Sequence, residues 1–139
     1  MQPIPGYLIV FVGAGIGGVL RHAMNQTALI FGWTFPWHTL LVNVSGCLLM
    51  GAVAGWFAFR GGSGQDVQLF LTTGMLGGFT SFSAFSLDAA LIWEPGQVLS
   101  AALYIGGSVV LSVACVFVGL ALTHTVRPHK LLSVGYRMR

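Results

Sequence analysis

The chain has very little charge. Of its 139 residues only 6% are charged, six Lys/Arg and three Asp/Glu, where a soluble domain carries roughly 25%. Hydrophobic residues make up 55%, more apolar surface than so short a chain hides in a soluble fold, because small domains bury the smallest fraction of their surface. A soluble domain is excluded, and the chain reads as an integral membrane protein. Cysteine is equally scarce. Cys47 and Cys115 both lie in apolar stretches, form no C-x-x-C or Cys/His pattern, and read as small packing residues. The histidines His22, His38, His124 and His129 are scattered without ligand spacing, and no Ser/His/Asp arrangement stands out, so an enzyme is the least favoured reading. Net charge is only +3, and four of the six Lys/Arg lie in the tail Arg127–Arg139. That excludes nucleic acid as an expected partner and leaves a short basic tail beside anionic membrane lipid. The N-terminus lacks a basic region and a small-residue cleavage site, so it does not read as a cleaved signal peptide.

What is abundant is apolar length. A crossing needs about 20 apolar residues, and four spans are expected in one transmembrane domain covering 1–139: about 7–31, 39–59, 67–93 and 98–125, with a basic tail at 126–139. In the first, the uncharged run Tyr7–Leu20 has 14 residues, about 21 Å of helix against a hydrocarbon core of roughly 30 Å. The helix must continue past Arg21, whose side chain either snorkels to an interface or faces a watery vestibule. Trp33, Pro36 and Trp37 mark the first turn at the depth of the aromatic belt. Arg60–Asp66 forms a glycine-rich polar turn, and Glu94-Pro95-Gly96 closes the third span. The pairs Gly13/Gly17, Gly51/Gly55 and Gly74/Gly78 fit G-x-x-x-G, a sign of tight packing or of dimers.

The third span is the unusual one. Leu71–Asp88 holds Gly74, Gly77 and Gly78 beside Thr72, Thr73, Thr80, Ser81, Ser83 and Ser86, with Phe79, Phe82 and Phe85 interleaved. Gly costs a helix interior about 1 kcal/mol, so the Gly77–Gly78 pair beside Thr80 is expected to interrupt the helix. In lipid such an interruption survives only where it is buried in protein or lines a wet path. In the second span Asn43 is the one strongly polar side chain; in the fourth, Tyr104, Ser108 and Ser112 recur at i, i+4, i+8 and line one face. Those hydroxyls serve either as interhelical hydrogen bonds or as an ion-conducting track. No acid lies midway through a span, since Asp88 falls near a span end, which argues against proton coupling. Neutral donors, aromatic ring edges and Arg21 favour an anion.

Three segments then resemble one family. Gly77-Gly-Phe-Thr-Ser-Phe-Ser-Ala-Phe85 is similar to the third-helix signature G-G-x-T-T-F-S-T-F of the Fluc (CrcB) fluoride channels. Thr39-Leu-Leu-Val-Asn-Val-Ser-Gly46 resembles that family's second-helix pattern T-L-x-V-N-x-x-G, and Gly13-Ala-Gly-Ile-Gly-Gly-Val-Leu-Arg21 its glycine-rich first helix. The resemblance implies a passive fluoride channel of the bacterial inner membrane. It implies an antiparallel, dual-topology homodimer of all-α subunits, each with four transmembrane helices and a broken third, and two pores at the interface. Phe82 and Phe85 would turn ring edges to fluoride, Asn43 would face the pore, Ser83, Tyr104, Ser108 and Ser112 would form the polar track, and Arg21 would belong to a vestibule. The carbonyls of Gly77 and Thr80 would hold a structural sodium ion on the dimer axis. The chain departs from the family pattern at Ser81 and Ala84, which replace signature threonines, at His22 after the arginine and at His38 before Thr39. Five Lys/Arg on the side of the N-terminus favour a single orientation by the positive-inside rule, in tension with dual topology. The competing readings are a small four-helix proton-coupled multidrug exporter, which calls for a glutamate in the first span, and a non-transporting structural subunit packed through its glycine faces.

Overall fold

The computed structural model describes residues 4–59 and 64–125. Arg60 with the next three positions of the polar turn, and the basic tail 126–139, lie outside the described residues. Within them every regular element is a helix: α1 (Ile4–Ile30), α2 (Trp37–Ala58), α3 (Gln65–Leu69), a π-helical segment (Phe70–Leu76), α4 (Gly77–Phe79), α5 (Phe82–Trp93) and α6 (Val98–Thr125). Taken as spans, Ile4–Ile30, Trp37–Ala58, Gln65–Trp93 and Val98–Thr125 are each long and apolar enough to cross a membrane. Even the shortest, 22 residues, reaches about 33 Å at about 1.5 Å per residue.

The helices pair by their glycines. A methyl on Gly17 of α1 would lie against the Met75 carbonyl and 2.7 Å from the Phe79 nitrogen, and one on Gly13 would lie 2.9 Å from Gly74 Cα. Conversely, Gly78 faces Ala14, where a methyl would stand 2.5 Å from the carbonyl oxygen. Gly51 and Gly55 meet Val116 and Thr123 in the same way, and Gly119 meets Leu48 and Ala52. Contact positions rise together along both members of each pair, so α1 runs parallel to the third span and α2 parallel to α6. All three G-x-x-x-G pairs are therefore used within one chain. Large apolar side chains such as Phe11, Leu99 and Phe117 point outward, the expected exterior for lipid. The largest buried cluster, Phe85, Ala89 and Tyr104 with Phe35, Leu40 and Ile92 around it, joins α5 to α6.

The third span departs from expectation in where helical geometry stops. Gly77 and Gly78, expected to interrupt it, are helical: Gly77 has φ −62° and ψ −37°. The extended residues are Thr80 (φ −75°, ψ 154°) and Ser81 (φ −151°, ψ 114°). Gly78 is spent on close approach to α1, against Ala14. The turn out of the helix falls instead to residues whose β-branching or short hydroxyl suits extended backbone. The π segment was not foreseeable from composition, and such segments concentrate near functional sites. After α5 the chain turns at Gly96, whose φ of 83° is open to glycine and whose N–H donates to the Trp93 carbonyl at 3.0 Å.

Candidate functional site

The site grows from the pair of extended residues. Ser81 caps α5: its Oγ accepts from the Ala84 N–H at 3.1 Å, the ordinary use of serine at a helix start. Asn43, on α2, grips the same residue from outside. Its Nδ2 donates to the Ser81 carbonyl at 3.2 Å, and the Ser81 N–H donates to its Oδ1 at 2.8 Å. Because that N–H can only donate, the amide orientation is fixed. Thr80 donates twice to the Leu76 carbonyl, from its amide and its hydroxyl, both at 3.0 Å.

These bonds redirect two amides. In a continuous helix Ser81 N–H would serve the Gly77 carbonyl and Ala84 N–H the Thr80 carbonyl. Here the first goes to Asn43 and the second to Ser81 Oγ. The Gly77 and Thr80 carbonyls thereby lose their helical donors. Thr80 retains Arg21, whose Nη1 lies 3.4 Å away, a long contact by hydrogen-bond standards. Arg21 is half-buried and turned toward this point rather than toward a helix end.

Beside the extended pair lies a cavity of about 280 Å³, lined by Asn43, Phe82, Phe85, Ser108 and Ser112 together with Thr80, Ser81 and Cys47. The structure thus brings five of the expected pathway residues together from three spans. Ser108 is 5% exposed, and its hydroxyl has no hydrogen-bond partner among the described residues. Burying an unpaired hydroxyl costs about 1–3 kcal/mol, so Ser108 points to a ligand. Tyr104 stands just outside. Its O–H donates to Asp88 Oδ2 at 3.3 Å, while its ring packs against Phe85 and edge-on to Phe35, centroids 5.5 Å apart in both. Phe82 and Phe85 are 5.5 Å apart but unequal: Phe85 is 8% exposed and Phe82 78%. Ser83 does not line the cavity; it is exposed, and its hydroxyl meets Ser81 Oγ at 3.1 Å.

Three participants were not singled out beforehand. Ser81 enters the sequence reading as one of the third span's hydroxyls and as a departure from a signature, although a serine ahead of an apolar helical run is also a cap signal. Cys47 is Asn43 plus one turn, so the i, i+4 rule reaches it. Asp88 could not be matched with Tyr104 without the α5–α6 packing. A second cavity, of about 360 Å³, holds Asp88 and His38. Among the described residues no group of three His, Cys, Asp or Glu side chains could hold a metal ion.

Comparison with known proteins places the chain in a family. Residues 8–120 match the family described as "CrcB-like protein, Camphor Resistance (CrcB)". The chain is 56% identical over 121 residues to the fluoride-specific ion channel FluC of Rhodopseudomonas palustris (strain BisB5), covering 86% of this chain and 98% of that one. It is 56% identical over 117 residues to fluoride-specific ion channel FluC 2 of Nitrobacter hamburgensis, covering 84% and 94%. With the FluC protein of Methylobacterium nodulans identity is 54% over 114 residues, covering 82% and 92%. A match over most of the chain, together with such close relatives over nearly their whole length, makes this protein a member of the CrcB (FluC) family.

Proposed function

We propose that the protein is a passive, fluoride-selective ion channel, not an enzyme, that lets fluoride leave the cell across the bacterial inner membrane. The observation that carries this reading is the unpartnered Ser108 hydroxyl in a cavity shared with Ser112, Asn43 and the Phe82–Phe85 pair. Hydroxyls and the Asn43 amide replace water around a small anion, and they act strongly where the dielectric is low. Ring edges add the positive end of the aromatic quadrupole. None of these groups carries charge, so the ion is held without being trapped. Asp88, the acid nearest the track, is engaged by Tyr104, and proton coupling has no mid-span carboxylate to use.

The reading extends to an antiparallel homodimer with two pores. One chain closes only part of the cavity, since Phe82 is 78% exposed beside the buried Phe85; a second copy completes the wall. The dimer axis is also where a structural sodium ion fits. The carbonyls of Gly77 and Thr80, deprived of their helical donors, are hard neutral oxygens suited to such a cation, and two copies would supply four of them. Arg21, near the Thr80 oxygen, opposes a cation there and moderates its hold.

The test is release from liposomes loaded with fluoride or chloride, with potassium exchange balancing charge. Fluoride should leave and chloride should stay. Equal loss of both ions, or release that requires an imposed proton gradient, would overturn the assignment.

A further inference from the structure

Cys47 lies one helical turn beyond Asn43 on α2 and lines the same cavity as Ser112. Across the α2–α6 contact Gly119 faces Leu48, Gly51 and Ala52. One turn earlier on both parallel helices, the same register opposes Cys115 to Cys47. Both are free, half-buried, and the only cysteines of the chain. We propose that Cys47 and Cys115 form a two-thiol site for a soft, two-coordinate cation, mercuric or cuprous in type, opening onto the cavity.

The donor set selects the class of ion. Sulfur prefers soft cations and ignores hard ones such as sodium. No third His, Cys, Asp or Glu joins the pair among the described residues, which disfavours the tetrahedral coordination of zinc. On binding, each S–H bond breaks, two metal–sulfur bonds form, and two protons leave to water; nothing is oxidised or reduced. A mercuric ion so held is a neutral dithiolate and strands no charge in the apolar interior. The bound ion occupies space one turn from Asn43, so it obstructs the cavity. That consequence for conduction rests on the cavity being the fluoride path.

Two measurements separate the site from the path. Purified full-length protein titrated with mercuric ion should bind one ion per chain, read from metal–thiolate ultraviolet absorption and from loss of free thiols. Fluoride efflux from liposomes should fall on adding the same ion, each variant being compared with its own metal-free flux. Cys47→Ser and Cys115→Ser should each weaken binding by about a hundredfold, the gain expected from a second donor at high effective concentration. Absence of binding to the native chain, or undiminished affinity in either variant, overturns the site. Binding that leaves fluoride efflux unchanged upholds the site and removes the cavity from the ion path instead.

Discussion

Ser81 has its amide, its carbonyl and its hydroxyl all engaged, two of them by Asn43, so Asn43 serves the backbone as well as the cavity. Asn43→Asp keeps an acceptor for the Ser81 N–H but sets a second oxygen against the Ser81 carbonyl and brings a negative charge into the cavity. Fluoride efflux should be abolished; normal efflux from a variant that elutes as the native protein does would reduce Asn43 to a clamp. The phenylalanines divide by exposure. Phe82→Ile, at an exposed site, should shift thermal stability by less than about 0.5 kcal/mol while slowing fluoride strongly. Phe85→Ile should slow fluoride too, and also lose about 1 kcal/mol because the ring packs on Tyr104. Full activity in both variants would leave the rings as packing alone.

Between elements, the α1 contact with the third span depends on backbone touching backbone. Gly17 has no room for a methyl, whereas neighbouring Gly18 has nothing within 4 Å of where one would go. Gly17→Ala should cost about 1–3 kcal/mol, as overpacking does, and Gly18→Ala should stabilise by about 0.5–1 kcal/mol through helix propensity. Thermal unfolding of the two variants in the same detergent checks the pair, and equal midpoints would mean that the crossing is looser than the geometry requires. The comparison also explains why Gly78 stays helical. A glycine that lets two helices approach closely stabilises more through that contact than it loses in propensity.

On the scale of the whole molecule, the glycine faces are already occupied within one chain, so the second copy of the proposed dimer would be met elsewhere. On that proposal the third span offers a face at Phe82, which is 78% exposed. Gly77 makes this testable, because a methyl there meets only the Thr72 carbonyl, at an ordinary 3.5 Å, within its own chain. Gly77→Val should therefore leave the monomer fold intact and yet weaken the dimer. The readout is light scattering in detergent, where the native protein should have twice its 14.7 kDa mass and the variant should dissociate on dilution. A variant dimer as tight as the native one would place the partner on another face.

The sequence by itself determined the four spans, the membrane environment and the residue types that line the cavity. Those follow from apolar length, from the near absence of charge and from i, i+4 spacing, all local properties of the chain. It also carried the family, through the stretch Gly77–Phe85. Where the third helix stops was decided by tertiary structure. Propensity pointed to Gly77 and Gly78, but both stay helical, Gly78 packed against Ala14 and Gly17, and Asn43, 38 positions away, draws the Ser81 amide out of the helix. The same holds for Tyr104 with Asp88 and for the proposed pairing of Cys47 with Cys115. Each depends on which faces of two distant helices meet, and a sequence period states that a face exists without stating what it touches.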